Sequence, residues 1–298
     1  MKILVTGAGG FLGSNLCNLL SKEHEMLAVS RKTNRLIADE NIKFSKFDMS
    51  EYVNLDAVFN TFAPDIVIHC AWEGGNSSRD VNEIWQSNNI ISSTNLLKLC
   101  SKYKIKHFIG FGSCAEFGDS KQILSENTEC NPINMYGINK FFFKLISEKY
   151  CLDQDIKFSW LRPVFTYGPF DVETRLIPKV IKSFLNNEDV VLNSCSAIVD
   201  YLYVEDFCKA VKNIIDLKLF GDYIISSDKQ YQVRNVVEQI YQTIKPTSNL
   251  FFDNSIIDKS PQFICGTSEK LKNLSKWNPA YSLNEGLKIT IKYFKERV

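Results

Sequence analysis

Gly7-Ala8-Gly9-Gly10-Phe11-Leu12-Gly13 directly follows the apolar run Lys2–Thr6 and opens an amphipathic stretch, Phe11–Lys22. Glycine at 7 permits a tight turn, glycine at 10 lets a pyrophosphate approach the backbone, and glycine at 13 allows close helix–strand packing. The bared N–H groups and the dipole of a helix start favour an anion. Glycines alone also suit a strand-to-helix turn without ligand. Their position in a βαβ unit at the start of the chain makes a dinucleotide the stronger reading.

Outward from this turn, β-branched runs alternate with helix-spaced stretches. Lys2–Thr6, Met26–Ser30, Ile42–Phe47, Ile66–Cys70, His107–Gly112 and Lys157–Arg162 read as buried strands. Phe11–Lys22, Glu51–Phe62, Glu83–Tyr103 and Tyr136–Cys151 read as helices. That order predicts an α/β fold, a Rossmann-type doubly wound parallel sheet. Asp200–Val204, Glu205–Asp216 and Gly221–Ser226 read as a late return to the same sheet. Arg175–Asn186, Val190–Leu192, Arg234–Thr243 and the segment from Leu250 suggest a smaller α+β lobe, closed by a helix carrying Leu283, Leu287, Ile291 and Phe294. Residues 1–165 and about 200–227 are thus expected to form the dinucleotide-binding domain. About 166–199 and 228–298 are expected to form the lobe.

Composition narrows the function. Over 298 residues, Lys+Arg 35 against Asp+Glu 34 gives a net charge of +1, which removes the case for a dedicated nucleic-acid binder. No apolar run is long enough to span a bilayer. The N-terminus reaches its glycines too soon for a signal peptide. The nine cysteines are never spaced C-x-x-C, so no metal site is expected, and most read as small buried hydrophobes in a reducing compartment. These features point to a soluble, cytoplasmic protein.

The second strand decides which dinucleotide. An acid at its end grips the ribose hydroxyls of NAD. Here Ser30-Arg31-Lys32 follows instead, and no acid appears before Asp39. A guanidinium and an ammonium bind a 2′-phosphate that a carboxylate repels. NADP(H) is therefore preferred, with NAD(H) possible; two solvated surface cations are the plain alternative. Asp48 is a candidate for the adenine amino group or for a turn.

Tyr136 and Lys140 stand four residues apart at a helix start, on one face. An ammonium beside a phenol favours the phenolate, and the same phenol donates a proton to a carbonyl oxygen during reduction. Ser113 follows the fifth strand, where a hydroxyl can polarise a substrate oxygen or simply make a turn.

Together these motifs resemble the extended short-chain dehydrogenase/reductases, in their nucleotide-sugar epimerase/dehydratase/reductase branch. The resemblance spans nearly the whole chain: Gly7/Gly10/Gly13, Ile68-His69-Cys70-Ala71, Asn88-Asn89, the Ser113 segment, Tyr136/Lys140, Leu161–Pro169, Asp200–Asp206 and Trp277-Asn278-Pro279. It implies Ser113 as the residue that orients the sugar oxygen, Tyr136 as the acid/base, and Lys140 as the group that tunes Tyr136 and holds ribose. It implies cofactor contacts from Thr6, Phe11, Leu12, Met49, Cys70, Ala71, Trp72, Asn89, Pro163 and Val164. It also implies a homodimer built on the helices at 83–103 and 136–151.

Dehydratases of that branch carry an Asp-Glu pair after the Ser/Thr; Cys114 and Ala115 stand there. Glu116, one place further, is expected to point away. Cys114 is a second proton donor for epimerisation or a packed thiol. Two enzyme readings follow: an NADPH-dependent 4-keto reductase acting on a nucleotide-diphosphate 4-keto-6-deoxysugar, and an NAD-dependent C4 epimerase. A cofactor-sensing protein without turnover is the non-enzymatic alternative, and such relatives typically lose Tyr or Lys. On the substrate side, Arg175 and Lys179 are candidates for the diphosphate, with Lys259 a weaker one. Phe165, Ser113, Cys114 and Trp72, in the loop Trp72-Glu73-Gly74-Gly75, are candidates for the sugar.

Overall fold

The computed structural model describes residues 1–32, 35–37, 39–74, 83–256 and 263–297, with the side chains of 83–85 excepted. Gly75 and Lys259 lie outside them. In chain order the first part runs β1 (Lys2–Thr6), α1 (Phe11–Leu20), β2 (Glu25–Ser30), β3 (Ile42–Lys46), α2 (Tyr52–Phe62), β4 (Ile66–His69), α3 (Glu83–Lys102) and β5 (His107–Phe111). A short 3-10 helix, Cys114–Phe117, precedes α4 (Met135–Asp153), β6 (Lys157–Pro163) and β7 (Phe165–Tyr167). There follow α5 (Leu176–Leu185), β8 (Val190–Leu192), β9 (Ile198–Val199), β10 (Tyr201–Tyr203), α6 (Val204–Asp216) and β11 (Gly221–Ile225). The chain then continues through β12 (Tyr231–Gln232), α7 (Val233–Ile244), β13 (Leu250–Phe252), β14 (Phe263–Ile264), α8 (Glu269–Ser275) and α9 (Leu283–Lys295).

Seven parallel strands form the main sheet in the order β11-β6-β5-β4-β1-β2-β3. Its inner strands are apolar without alternation because both faces are covered. Ile3 and Val5 pack on one side with Leu16 and Cys17 of α1 and Phe207 and Val211 of α6. Leu4 packs on the other with Phe59 of α2, Leu96 of α3 and Phe143 of α4. The first of these clusters runs on into Ile181 of α5, Val237 of α7 and Leu287 of α9. Strand and helix bounds differ from the sequence expectation by a residue or two at most of the ends.

One expectation is corrected. The strand expected over Asp200–Val204 does not return to the main sheet: β10 pairs with β7 in a separate two-stranded sheet, and only β11 joins β6. Pro163 ends β6 without an N–H to extend the ladder. Val164 N–H still bonds the Ile225 carbonyl (3.0 Å), but Phe165 N–H turns to the Asp200 carbonyl (3.2 Å). The partner exchange carries the chain out of the sheet. Among the described residues, no helix is long and apolar enough to cross a membrane.

Candidate active site

Strand order reverses at β1, with β2 on one side and β4 on the other, and a crevice opens outside the strand ends at such a switch point. A cleft of about 1280 Å³ runs there. Gly7, at φ +67°, makes the turn out of β1; a Cβ on it would lie 2.6 Å from the Ala71 nitrogen. Only glycine admits both the backbone conformation and the approach. Gly10 caps α1 from an extended conformation, and the first turn of α1 has neither a side-chain cap nor an acid. The N–H groups there suit a negative ligand. Gly7, Gly10, Phe11, Leu12 and Gly13 all line the cleft.

Thr6 does not. It is fully buried, its Oγ1 sharing a 2.7 Å hydrogen bond with Nδ1 of His69, which does line the cleft and whose Nε2 meets Ser93 Oγ at 2.8 Å. Burial, reinforced by the charge of Lys140, pushes His69 down to about 3, so its ring stays neutral.

Beyond β2, Ser30, Arg31, Lys32, Asp48 and Met49 line the far end, joined by Arg35. The sequence reading passed over Arg35, although it continues the same basic run. Arg31 Nη1 stands 3.1 Å from Glu73 Oε1 and 3.5 Å from Asp48 Oδ2. Asp48 Oδ1 accepts from Ser50 N–H (2.9 Å) and Ser50 Oγ (2.7 Å), which holds its carboxyl below the usual range. Asp48 therefore builds a turn and faces Arg31 at once.

The opposite end gathers Cys70, Ala71, Trp72, Asn89, Ser113, Tyr136, Lys140, Pro163 and Val164. Asn89 Oδ1 accepts from Glu73 N–H and its Nδ2 donates to the Glu73 carbonyl, both at 2.8 Å, so it fixes the loop after β4. Trp72 Nε1 donates to Gln86 Oε1 (3.1 Å). The Asn134 side chain caps α4 by accepting from Gly137 N–H at 2.8 Å. A Cβ on Gly137 would collide with the Ala115 carbonyl oxygen; the glycine lets α4 lie against the Ser113 segment. Tyr136 is 8 % and Lys140 6 % exposed. Lys140 Nζ donates to the Phe111 carbonyl (2.9 Å), 3.9 Å from the Trp72 ring centre and 6.0 Å from that of Tyr136. Burial lowers Lys140 to about 7, opposed chiefly by the Glu116 carboxylate.

Ser113 caps the 3-10 helix, its Oγ accepting from Ala115 N–H at 3.2 Å. Glu116 is fully buried against Arg162 and Trp160 and does not line the cleft. Cys114 lies outside it too, packed near Phe117, Leu124 and Val164 with its Sγ 3.6 Å from the Pro163 carbonyl.

A second cavity, about 300 Å³, opens beside the cleft, walled by Phe165, Tyr167, Leu192, Val199, Tyr201 and Val233 among others. Thr166 and Arg175 line both spaces. Arg175 Nη1 meets Asp171 Oδ1 at 2.9 Å, and Thr166 Oγ1, buried, finds no hydrogen-bond partner among the described residues. Phe165 thus belongs to the second cavity and Arg175 to both, while Lys179 is exposed and lines neither.

A parallel sheet with a glycine turn at its switch point and a Ser/Tyr/Lys group at the facing strand ends defines the class: short-chain dehydrogenase-type α/β proteins. The family model described as "NAD dependent epimerase/dehydratase family" matches residues 3–224, and the chain belongs to that family. It is 25% identical to an "Uncharacterized UDP-glucose epimerase" of Bacillus subtilis, over 98% of each chain. It is 26% identical to a "dTDP-6-deoxy-L-talose 4-dehydrogenase (NAD(+))" of Aggregatibacter actinomycetemcomitans, over 84% of this chain and 95% of the other. Among solved structures, UDP-glucose 4-epimerase of Thermotoga maritima with UDP-glucose superposes with a TM-score of 0.91 at 22% identity, over 100% and 99% of the two chains.

Proposed function

We propose that this protein uses NADPH to reduce the keto group of a nucleotide-diphosphate 4-keto-6-deoxysugar, a step in deoxysugar or surface-polysaccharide synthesis. The observation that carries the reading is the convergence of Ser113, Tyr136 and Lys140 on one wall of the cleft whose far end is rimmed by Ser30, Arg31, Lys32 and Arg35. The glycine turn and the uncapped start of α1 suit a dinucleotide pyrophosphate. A bound nicotinamide supplies the hydride. Tyr136 then gives its phenolic proton to the substrate oxygen, and the Lys140 ammonium stabilises the phenolate left behind. Ser113 orients that same oxygen, and Lys140 holds the ribose.

The 1–165 and 200–227 segments hold the cofactor in this reading, and 166–199 with 228–298 the nucleotide sugar. Arg175 binds the diphosphate where the two cavities meet, and the apolar second cavity takes the nucleoside. Ile138, Phe142 and Leu145 leave an exposed apolar stripe on α4, which a second copy of the chain covers in a homodimer. The nine cysteines, none of them in a disulfide among the described residues, fit a reducing cytoplasm.

An NAD-dependent C4 epimerase is the second reading, favoured by the names of two of the similar proteins and by the engagement of Arg31 with two carboxylates. A 4,6-dehydratase lacks its acids at Cys114 and Ala115, and a non-catalytic NADP sensor has no need of Tyr136 with Lys140. Offering a panel of nucleotide-diphosphate 4-keto-6-deoxysugars with NADPH, beside a panel of nucleotide-diphosphate hexoses that carry a C4 hydroxyl, separates them. Steady cofactor consumption supports the reductase; sugar isomerisation without consumption overturns it.

A further inference from the structure

We propose that Glu116 is a positioning residue of this site, acting through Ser113 and Lys140 from behind the wall of the cleft; the assignment rests on the reading above. The carboxylate is fully buried and fully engaged. Its Oε1 accepts from Ser113 N–H (2.8 Å) and Trp160 Nε1 (3.2 Å); its Oε2 accepts from Trp160 Nε1 (3.2 Å) and Arg162 Nε (2.8 Å). A Cβ on Gly112 would collide with Oε1, so the glycine is what admits the carboxylate.

The end of β5 is consequently held from several sides. Phe111 gives its carbonyl to Lys140 (2.9 Å), Gly112 gives its N–H to the Leu161 carbonyl (2.8 Å), and Ser113 gives its N–H to Glu116. Arg162 carries the clasp to the neighbouring strand end, directly before Pro163 and Val164 of the cleft wall. It also donates to Asp222 Oδ2 (2.9 Å), which faces Lys144 (3.4 Å), itself paired with Glu148 (2.8 Å). One carboxylate thereby fixes the spacing of the two strand ends that hold the reacting sugar and the cofactor ring.

Charge adds to geometry. The groups facing Lys140 are Cys70, His69, Tyr136, the Trp72 ring and Glu116, and of these Glu116 is the carboxylate. Replacing a buried ion pair by apolar side chains is often neutral for stability. An apolar pair, however, supplies neither the acceptor for Ser113 nor an opposing charge for Lys140. The same contacts occupy Glu116, which leaves it no role in moving protons within the cleft.

The test uses Glu116→Gln, Glu116→Asp and the double variant E116L/R162M in the full chain. The readouts are kcat and KM on the substrate found in the panel, NADPH affinity by fluorescence, and the titration midpoint of Lys140 by NMR of labelled lysine. Lys140→Arg assigns the Lys140 signal. Glu116→Gln is expected to lower kcat about tenfold or more while NADPH affinity changes by less than about threefold. It is also expected to move the Lys140 midpoint down by about half a pH unit or more. Glu116→Asp, which keeps the charge, is expected to hold the midpoint, and E116L/R162M to fold yet share the loss of kcat. A folded E116L/R162M with parental kcat, or a Glu116→Gln protein with unmoved midpoint and kcat, overturns the assignment. If the parent turns over no nucleotide sugar, the proposed function fails, and the Lys140 midpoint in Glu116→Gln still decides the role of Glu116.

Discussion

Lys140 and Trp72 meet face to face: the lysine Nζ lies 3.9 Å from the centre of the indole, with the Phe111 carbonyl 2.9 Å away on the strand end. A π-face and one carbonyl replace water around a buried ammonium, and that sparse solvation is why its affinity for the proton falls to about 7. Trp72→Leu is expected to weaken cofactor binding by about tenfold, the order of ~1–1.5 kcal/mol for losing one aromatic face from the cleft wall. Fluorescence titration with NADPH measures it, and an unchanged affinity removes Trp72 from the cofactor wall.

Tyr136→Phe deletes the hydroxyl proposed as the proton donor while keeping the ring that packs at the start of α4. Turnover is expected to drop by about 10²–10⁴-fold, with NADPH affinity within about threefold of the parent. Retained turnover in single-turnover kinetics moves the acid role elsewhere.

The pH dependence of stability follows from Lys140. Its value in the fold, about 7, lies below that of an unfolded lysine, so between about 7 and about 10 the unfolded chain binds more protons than the folded one. Stability therefore rises with pH across that window, and the penalty of the buried charge is complete below it. Lys140→Met is expected to raise the melting temperature of the cofactor-free protein by about 2–4 °C near pH 6, a gain that shrinks towards pH 10, while abolishing turnover. A variant that melts lower than the parent at every pH contradicts the sign.

At the other end of the cleft, Glu73 holds the Arg31 to which the proposed function gives a 2′-phosphate, so the two would compete for it. The pair is exposed, 62% and 44% for the two side chains, so it is weak. Glu73→Gln is expected to tighten NADPH binding by about two- to fivefold with little change for NADH, and Arg31→Ala to weaken NADPH selectively. Equal response of the two dinucleotides to Arg31→Ala counts against a phosphate site there.

The apolar stripe on α4 has its own test. Phe142→Glu with Leu145→Glu adds charge to side chains that are 51% and 46% exposed in the single chain. Sedimentation is expected to show a dimer for the parent and a monomer for the double variant, with the fold intact by circular dichroism. A monomeric parent ends the proposal.

The wall of the site shows how far the chain could be read in advance. Tyr136 and Lys140 are four residues apart at a helix start, so local geometry already placed them on one face. Arg35 was legible only as a continuation of the basic run after β2, and the second cavity was not legible at all: it is built by residues from β7, β8, β9, β10 and α7, far apart in the chain. The side that the Thr6 hydroxyl takes was not legible either, because a strand terminus does not announce it; His69 decided that by sharing a hydrogen bond with it.

By itself the sequence determined what depends on short-range rules: the glycine turn at Gly7, the run of buried strands, and the shared face of Tyr136 and Lys140. These follow from the conformational freedom of single residues and from helical or strand periodicity. Only the tertiary structure decided the exchange of β7 from β6 to β10, the pairing of Arg31 with Glu73 and Asp48, and the burial of Glu116 against Arg162. Those choices depend on which donor and acceptor meet across tens of residues, and a buried polar group settles on whichever distant partner the packed chain brings within reach.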